Sequence, residues 1–255
     1  MYNRLASIVV LVMASLVGAG AVRAEEVLRV EGDLVKWPPS ASGLGTVITY
    51  AALTGTYSLR THQNTLSPDN CGAMRPFAEI VSASGGVSEQ TARRELQSAF
   101  AAWADVAGIR FTEVTDLDHA NIIIGATDAS GGRAFANLSL VGRHRAQTTA
   151  KALGAPSDSR SVDFAGLGRA GTVAAIEQAY VCLNPKLRWK VGFDGNLNVY
   201  DLRYTLMHEI GHAIGLDHPG SSGSIMGYRY DERVRQLQAS DIAAAQRLYG
   251  LPIAK

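Results

Sequence analysis

One stretch near the middle of the second half constrains the fold of this 255-residue chain more than any other. It places His208 and His212 four residues apart, so on an α-helix their side chains differ by about 40° in direction and lie about 6 Å apart along the axis. Both imidazoles can then reach one metal ion at a nitrogen–zinc distance of about 2.0–2.1 Å. A third ligand cannot come from the next helical turn. Gly215 tolerates positive φ, so a sharp turn there can bring His218 back to the same ion.

These three histidines predict one catalytic zinc ion with an open coordination position. Glu209 points about 100° away from His208 around the helix, too far round to complete the same ligand set. It can still reach a water on the metal, which is the position that a general base needs. The alternatives are surface histidines on a capped helix, or a zinc-binding but inactive protein. The presence of Glu209 argues against the second alternative.

The N-terminus is typical of an export signal. Residues 5–19 form an apolar run after Arg4, and Val22-Arg23-Ala24 places small side chains at two positions of a cleavage site. We therefore expect residues 1–24 to be removed. The alternative is an uncleaved membrane anchor, but the run is shorter than the roughly 20 residues that a membrane-spanning helix needs. The mature protein is expected to be secreted or periplasmic, without stable membrane association.

The charge balance indicates no electrostatic partner. The formal net charge is +1 and no block of like charges occurs, so nucleic-acid binding is not expected. Apolar residues make up 47% of the chain, enough for the core of one ordinary domain. We expect a monomer.

The chain contains two cysteines, Cys71 and Cys182. In an oxidising compartment a disulfide between them is the natural interpretation, and it would link an early loop to a later strand. The alternative is two buried free thiols.

The order of predicted elements indicates an α+β fold. Strand patterns occupy residues 46–53, 109–114, 120–125 and 133–141, and a further strand ends at Leu183. Three helices are predicted: from the cap Ser88 to Gly108, from the cap Asp201 to Ile214, and from the cap Ser240 to Gly250. Residues 25–45 are expected to be a lead-in that lies extended along the surface. Residues 142–171 give no clear pattern.

The zinc-binding stretch carries a family resemblance. Residues 208–218 match HExxHxxGxxH, the long zinc signature of the metzincin metalloproteases. Ser224-Ile225-Met226-Gly227-Tyr228 resembles the Met-turn that follows it, in which the methionine forms an apolar floor beneath the histidines. Within the metzincins, residues 101–114, 120–124 and 237–250 resemble the matrixins most, and the resemblance covers about residues 46–250.

This resemblance implies a catalytic domain over residues 46–255. The expected domain has a twisted mixed sheet and two long helices above a cleft, and an irregular lower part ending in a C-terminal helix. Gly215 and Met226 would support the metal site. The implied activity is a zinc-dependent endopeptidase acting on protein or peptide substrates, which would pair antiparallel with an edge strand at residues 133–140. The alternatives are a catalytically weak or inactive peptide-binding module, and a zinc hydrolase acting on a non-peptide bond.

Two tyrosines follow the predicted Met-turn. Astacins and serralysins have a tyrosine two residues after the methionine that can touch zinc or stabilise the oxyanion, and Tyr228 occupies this position. Matrixins instead use the residue four positions after the methionine, here Tyr230, to line the pocket for the side chain that follows the cut. Either tyrosine could equally be a packing residue.

The N-terminal region departs from the vertebrate-type matrixin pattern. Those proteins carry a propeptide whose cysteine caps the zinc, whereas only the short segment 25–45 lies here between the predicted signal and the first predicted strand. Cys71-Gly72 resembles a fragment of that motif but follows the strand, so we interpret it as structural. Asp33 is an alternative candidate cap.

Further metal sites have little support in the sequence. A second, structural zinc is not expected, because the remaining histidines, His62, His119 and His144, are scattered. Asp128, Asp163 and Asp194 are candidate calcium ligands, although lone aspartates are more often solvated turn residues.

Overall fold

The structure, a computed structural model, describes residues 27–40, 45–58, 70–83, 85–128, 132–141, 173–219 and 223–253. The predicted export signal at residues 1–24, His62, His144, and residues 142–171 with Asp163 lie outside the described residues. Within the described part of the chain, no helix combines the length and the apolarity needed to cross a membrane.

The predicted α+β class is confirmed. The strands are β1 (Arg29–Val30), β2 (Asp33–Lys36), β3 (Thr46–Ala52), β4 (Tyr57–Ser58), β5 (Ala73–Met74), β6 (Ile109–Glu113), β7 (Ile122–Ala126), β8 (Ala134–Leu140), β9 (Val173–Leu183), β10 (Trp189–Lys190) and β11 (Tyr200–Asp201). The α-helices are α1 (Glu89–Val106), α2 (Leu202–Ala213) and α3 (Ala239–Tyr249), and short 3-10 helices occupy Phe77–Val81 and Leu117–His119.

In the part of the chain that the structure describes, seven strands form one mixed sheet in the order β1-β2-β9-β7-β3-β6, and β8 pairs antiparallel with β9. The pairs β2/β9, β9/β7, β7/β3 and β3/β6 are all parallel. Strand β7 is buried along its whole length, which explains its continuous apolar run, since a parallel strand covered on both faces needs no polar side. Among the described residues, β8 pairs with β9 alone and therefore forms an open edge.

Helix α1 packs against both the sheet and the helix that carries the histidines. The Ser88 side chain caps α1 by accepting a hydrogen bond from the Thr91 N–H, as the sequence predicted. The apolar stripe of α1 is buried and ends in Trp103. The indole N–H of Trp103 donates to the Met207 carbonyl at 2.9 Å. The core of the domain thus fixes the position of α2 one residue before His208.

The expectation that residues 25–45 lie along the surface is wrong for the segment around β2. Val35 is fully buried and β2 pairs parallel with the start of β9. Trp37 is also buried, and its indole N–H donates to the Ala213 carbonyl at 2.9 Å. This segment therefore completes the core beneath the end of α2. The indole N–H of Trp37 finds a buried acceptor in this contact.

Two other element boundaries differ from prediction. Helix α3 is capped at Gln238 rather than Ser240, because the Asp241 carboxylate accepts the Gln238 backbone N–H at 2.8 Å and closes a capping box. Strand β9 is longer than its predicted end segment and begins at Val173. Its N-terminal half is held by β2 and β8, partners that are distant in sequence.

A disulfide joins Cys71 to Cys182, with a sequence separation of 111 residues. It ties the chain just before β5 to the end of β9, and both cysteines are buried in a small second apolar cluster. The pairing favoured by the sequence is therefore the one found in the structure.

Candidate metal centre and active-site cleft

Helix α2 presents the first two histidines. Its N-terminus is capped by Asp201, whose side chain accepts the Tyr204 backbone N–H at 2.7 Å. Its C-terminus stops at Gly215, which has φ +92°. A β-carbon on Gly215 would lie 2.1 Å from the Val35 carbonyl oxygen, so only glycine fits this turn. The turn is therefore fixed by both its φ angle and its close contact with β2.

The structure brings His208, His212 and His218 together at one point. The Nε2 atom of His208 lies 3.2 Å from Nε2 of His212 and 3.2 Å from Nε2 of His218. Nitrogens at about 2.05 Å from a tetrahedral zinc ion would be separated by about 3.3 Å. Within the described ranges, these three side chains form the one cluster of metal-ligating groups large enough to hold an ion.

Backbone carbonyls orient two of the three rings. Nδ1 of His208 lies 2.7 Å from the Ile225 carbonyl, and Nδ1 of His212 lies 2.9 Å from the Leu216 carbonyl. A carbonyl can only accept, so Nδ1 carries the proton in each ring and Nε2 keeps its lone pair. The close approach of those two Nε2 atoms is then a contact between two acceptors. Such a contact requires a cation between them, and a zinc ion fits this donor set.

Burial keeps the histidines neutral. It lowers the pKa of His208 to about 3 and that of His212 to about 4, with further lowering from the neighbouring histidines. The pKa of His218 is lowered in the same direction, again mainly by burial. Neutral imidazole is the form that binds a metal, so the site is prepared for an ion at neutral pH.

Glu209 lies in the wall of the same cleft as the histidines. Its side chain is buried, and burial raises its pKa to about 8, while the positive charge of Arg133 acts in the opposite direction. Glu209 is not part of the histidine cluster, in agreement with the helical geometry.

The predicted Met-turn lies beneath the histidines. Met226 is buried, and its thioether contacts α2 at Gly211, between the two helical ligands. The Asp241 carboxylate of α3 accepts the backbone N–H groups of Ile225 and Met226 at 3.0 and 3.1 Å. Because the Ile225 carbonyl also accepts from His208, Asp241 positions that imidazole through the turn.

The two tyrosines after the turn lie at the cleft in different ways. Tyr228 is 72% exposed, and its ring stacks on His218 with centroids 3.9 Å apart. Tyr230 lies in the pocket wall, where its hydroxyl accepts the Asp201 N–H and donates to Glu232, each at 2.9 Å. The Tyr230 hydroxyl is thus occupied by protein partners, whereas its ring lines the cavity.

The cleft has a volume of about 440 Å³ and includes residues that the sequence did not single out. Tyr204 lines it four residues before His208, a helical spacing that could have identified it. Leu28 also lines it, because its N–H donates to the Gly215 carbonyl at 2.8 Å. Asp33, the alternative candidate cap, lies in β2 and does not line the cleft.

The calcium candidates in the described ranges face basic side chains. Asp128 accepts from Arg75 at 2.7 Å, and Asp194 is hydrogen-bonded to Lys190. Each carboxylate thus already has a positive partner from the protein. His119 is exposed and pairs with Asp116, away from the cleft.

Comparison with known proteins assigns the chain to a family. A family model described as Matrixin matches residues 78–250, well over half of the chain, including the histidine cluster and the Met-turn. The chain belongs to the matrixin family. Its α+β fold, with a mixed sheet and three α-helices among the described residues, is the fold expected of such a peptidase domain.

Individual relatives of this matrixin match over shorter segments. A serralysin from Photorhabdus laumondii is 33% identical over 140 residues, covering 52% of this chain and 22% of that protein. Human matrix metalloproteinase-19 is 32% identical over 166 residues, covering 63% of this chain and 26% of the relative. Human matrix metalloproteinase-26 is 48% identical over 54 residues, covering 20% and 21%. This matrixin therefore spans about a quarter or less of the length of each relative.

Proposed function

We propose that this matrixin is a secreted, zinc-dependent endopeptidase that hydrolyses peptide bonds in proteins. The observation that carries the proposal is the convergence of three neutral imidazoles beside a buried glutamate in an open cleft. Family membership supports the same chemistry. Secretion rests on the export-signal pattern of residues 1–24.

The histidines and Glu209 have separate roles in the proposed reaction. Zinc held by His208, His212 and His218 would polarise the scissile carbonyl and lower the pKa of the attacking water. Glu209 accepts the proton of that water and passes it to the leaving amine. Its buried side chain in the wall of the cleft places the carboxyl beside the histidines for both halves of this transfer.

The edge strand β8 is the proposed platform for the substrate. One side of β8 is paired with β9, and the residues that line the cleft include Ala134 and Ala136. An extended peptide can add to such an edge through backbone hydrogen bonds, and small side chains let it approach closely. We propose that the substrate runs antiparallel to β8, so that its C-terminal part lies at the Ala134 end of the strand.

Tyr228 is the proposed second stabiliser of the oxyanion. Its ring already stacks on His218 at the mouth of the cleft, and its exposure leaves the side chain free to turn towards substrate. A hydroxyl donor near the developing negative charge would stabilise the transition state more than the ground state.

Cleavage of an unfolded protein tests the proposed function. The protein without residues 1–24, loaded with zinc, should cut denatured casein, and a zinc chelator should abolish cleavage until zinc is restored. The alternative is a zinc-containing peptide-binding module. A chain that holds one zinc ion but leaves casein and peptide libraries intact would support that alternative and contradict the proposal.

A further inference from the structure

An arginine lies in the wall of the cleft beside the proposed catalytic groups. Arg133 immediately precedes β8 and lines the cavity together with Glu209 and Tyr204. Its guanidinium lies over the ring of Tyr200 at 4.7 Å from the centroid, and 5.9 Å from the centroid of Tyr230. The two rings hold the guanidinium plane in place without consuming its hydrogen-bond donors.

No carboxylate in the described part of the chain forms an ion pair with Arg133. Arg133 shares the cavity wall with two acidic residues, and one of them is Glu209. The other acidic residue of the cavity wall is Asp217. Its carboxylate accepts a hydrogen bond from the backbone N–H of His218. A half-buried cation with unused fork-shaped donors is a binding site for a carboxylate from outside the protein.

The direction of the substrate decides which of its residues meets Arg133. A peptide antiparallel to β8 has its C-terminal part at the start of that strand, where Arg133 lies. Arg133 lines the same cavity as Glu209 and His208, so it lies near the point of cleavage. The substrate residues that directly follow the cut therefore face this guanidinium. This step depends on the proposed function.

We propose that Arg133 is a specificity-determining residue that selects substrates with a carboxylate directly after the cut. The carboxylate has two sources: an aspartate or glutamate side chain at the residue after the cut, or the C-terminal carboxylate of the substrate. In the first case the enzyme is an endopeptidase with acidic specificity. In the second it shortens chains from their C-termini.

Two pairs of quenched fluorescent peptides separate these sources, with cut positions verified by mass spectrometry. The first pair has an amidated C-terminus and carries Glu or Gln after the cut. The second pair carries Gln there and ends shortly after it as a free acid or an amide. We expect kcat/KM to be about tenfold or more higher for the carboxylate-bearing member of one pair. Equal values within both pairs would overturn the proposal.

Variants of the zinc-loaded protein assign the preference to Arg133. Arg133→Gln should remove the preference, Arg133→Lys should retain part of it, and Arg133→Glu should favour Lys after the cut. Arg110→Gln, an exposed arginine on β6, is the matched control and should keep the full preference. If Arg133 acted only on Glu209, Arg133→Gln would change kcat/KM of both members equally, and this result would contradict the proposal. Zinc content and thermal midpoints exclude misfolding of each variant.

If the protein is not an endopeptidase, the same peptides give a different result. A zinc-loaded protein that cuts none of the peptides contradicts endopeptidase activity but still allows the inference to be tested. Fluorescence anisotropy then measures the same peptides as ligands. Tighter binding of the carboxylate-bearing member, lost in Arg133→Gln, supports the role of Arg133, and equal binding overturns it.

Discussion

The backbone of Gly211 lies directly against the thioether of Met226: a β-carbon on Gly211 would stand 2.3 Å from the methionine Sδ. Gly211 lies on α2 between the ligands His208 and His212, so the methionine reaches the helix beneath the metal site. The same β-carbon would also lie 3.1 Å from the Trp103 ring. The floor of the site therefore depends on the absence of a side chain at this position.

We predict that Gly211→Ala weakens zinc binding by about fivefold, which corresponds to about 1 kcal/mol. Alanine favours a helix by about 1 kcal/mol over glycine, but the overpacked methionine must move, at a cost of about 1–3 kcal/mol. Competition with a chromophoric chelator measures the affinity. Gly86→Ala is the control, since nothing lies within 4 Å of its β-carbon position. Equal zinc affinity in the Gly211 variant and the wild type would refute this packing argument.

The buried carboxylate of Asp241 should be important for stability. It accepts three backbone N–H groups, from Ile225, Met226 and Gln238. Asp241→Asn replaces one acceptor oxygen with a donor that faces those N–H groups, so we expect a loss of about 2–3 kcal/mol in the free energy of unfolding. Urea denaturation measures it, with the exposed Asp118→Asn as control. Similar losses in the two variants would contradict the role given to Asp241.

The stability of the metal-free protein should pass through a maximum near pH 6.5. Because the folded-state pKa values of His208 and His212 lie at about 3 and about 4, below the ordinary 6.5, their contribution falls as the pH drops below 6.5. The folded-state pKa of Glu209 is about 8, above the ordinary 4.5, so its contribution falls as the pH rises from 4.5 to 8. The two histidines outweigh Glu209 below pH 6.5, and His218, whose pKa is lowered in the same direction, adds to their effect. Above pH 6.5 the effect of Glu209 is the larger one.

Urea denaturation of chelator-treated protein from pH 5 to pH 8 measures this profile. Glu209→Gln should lose the decline above pH 6.5 and keep the decline below it. A wild-type free energy of unfolding that rises steadily to pH 8 would show that burial does not hold a proton on Glu209.

The disulfide should stabilise the fold substantially. Cys71 and Cys182 close a loop of 111 residues, for which chain-entropy arguments give about 4–5 kcal/mol and measured values typically reach about 2–5 kcal/mol. The double substitution to serine should lower the free energy of unfolding by a value in this range. It should leave zinc stoichiometry unchanged, because the bond joins the end of β9 to the segment before β5 and does not contact the histidines. Urea denaturation curves that coincide for the variant and the wild type would contradict this prediction.

The geometry of the histidine helix was predictable because it is local. The spacing of His208 and His212 and the turn at Gly215 follow from helix geometry and from the φ freedom of glycine alone. For the strands with alternating or β-branched residues, the bounds predicted from the sequence also lie within a few residues of the observed bounds. In these elements, the local sequence pattern and the folded structure agree on the type and the bounds of the element.

The remaining features depend on contacts between distant segments. The burial of β2 leaves no local signal in the sequence, because its parallel partner β9 begins only at Val173, in a distant part of the chain. The place of Arg133 in the cleft follows from its stacking on Tyr200 and Tyr230, which come from two other segments. Sequence spacing contains no information about such contacts.

The most direct test of the proposed mechanism is a paired measurement on Glu209→Ala. Zinc content is determined on the same purified sample that is assayed for peptide cleavage. The glutamate is not one of the clustered ligands, so the variant should keep one zinc ion per chain and lose at least about a hundredfold in kcat/KM, the range expected for removing a general base. A variant that binds zinc and cuts peptides at the wild-type rate would contradict the proposed role of Glu209.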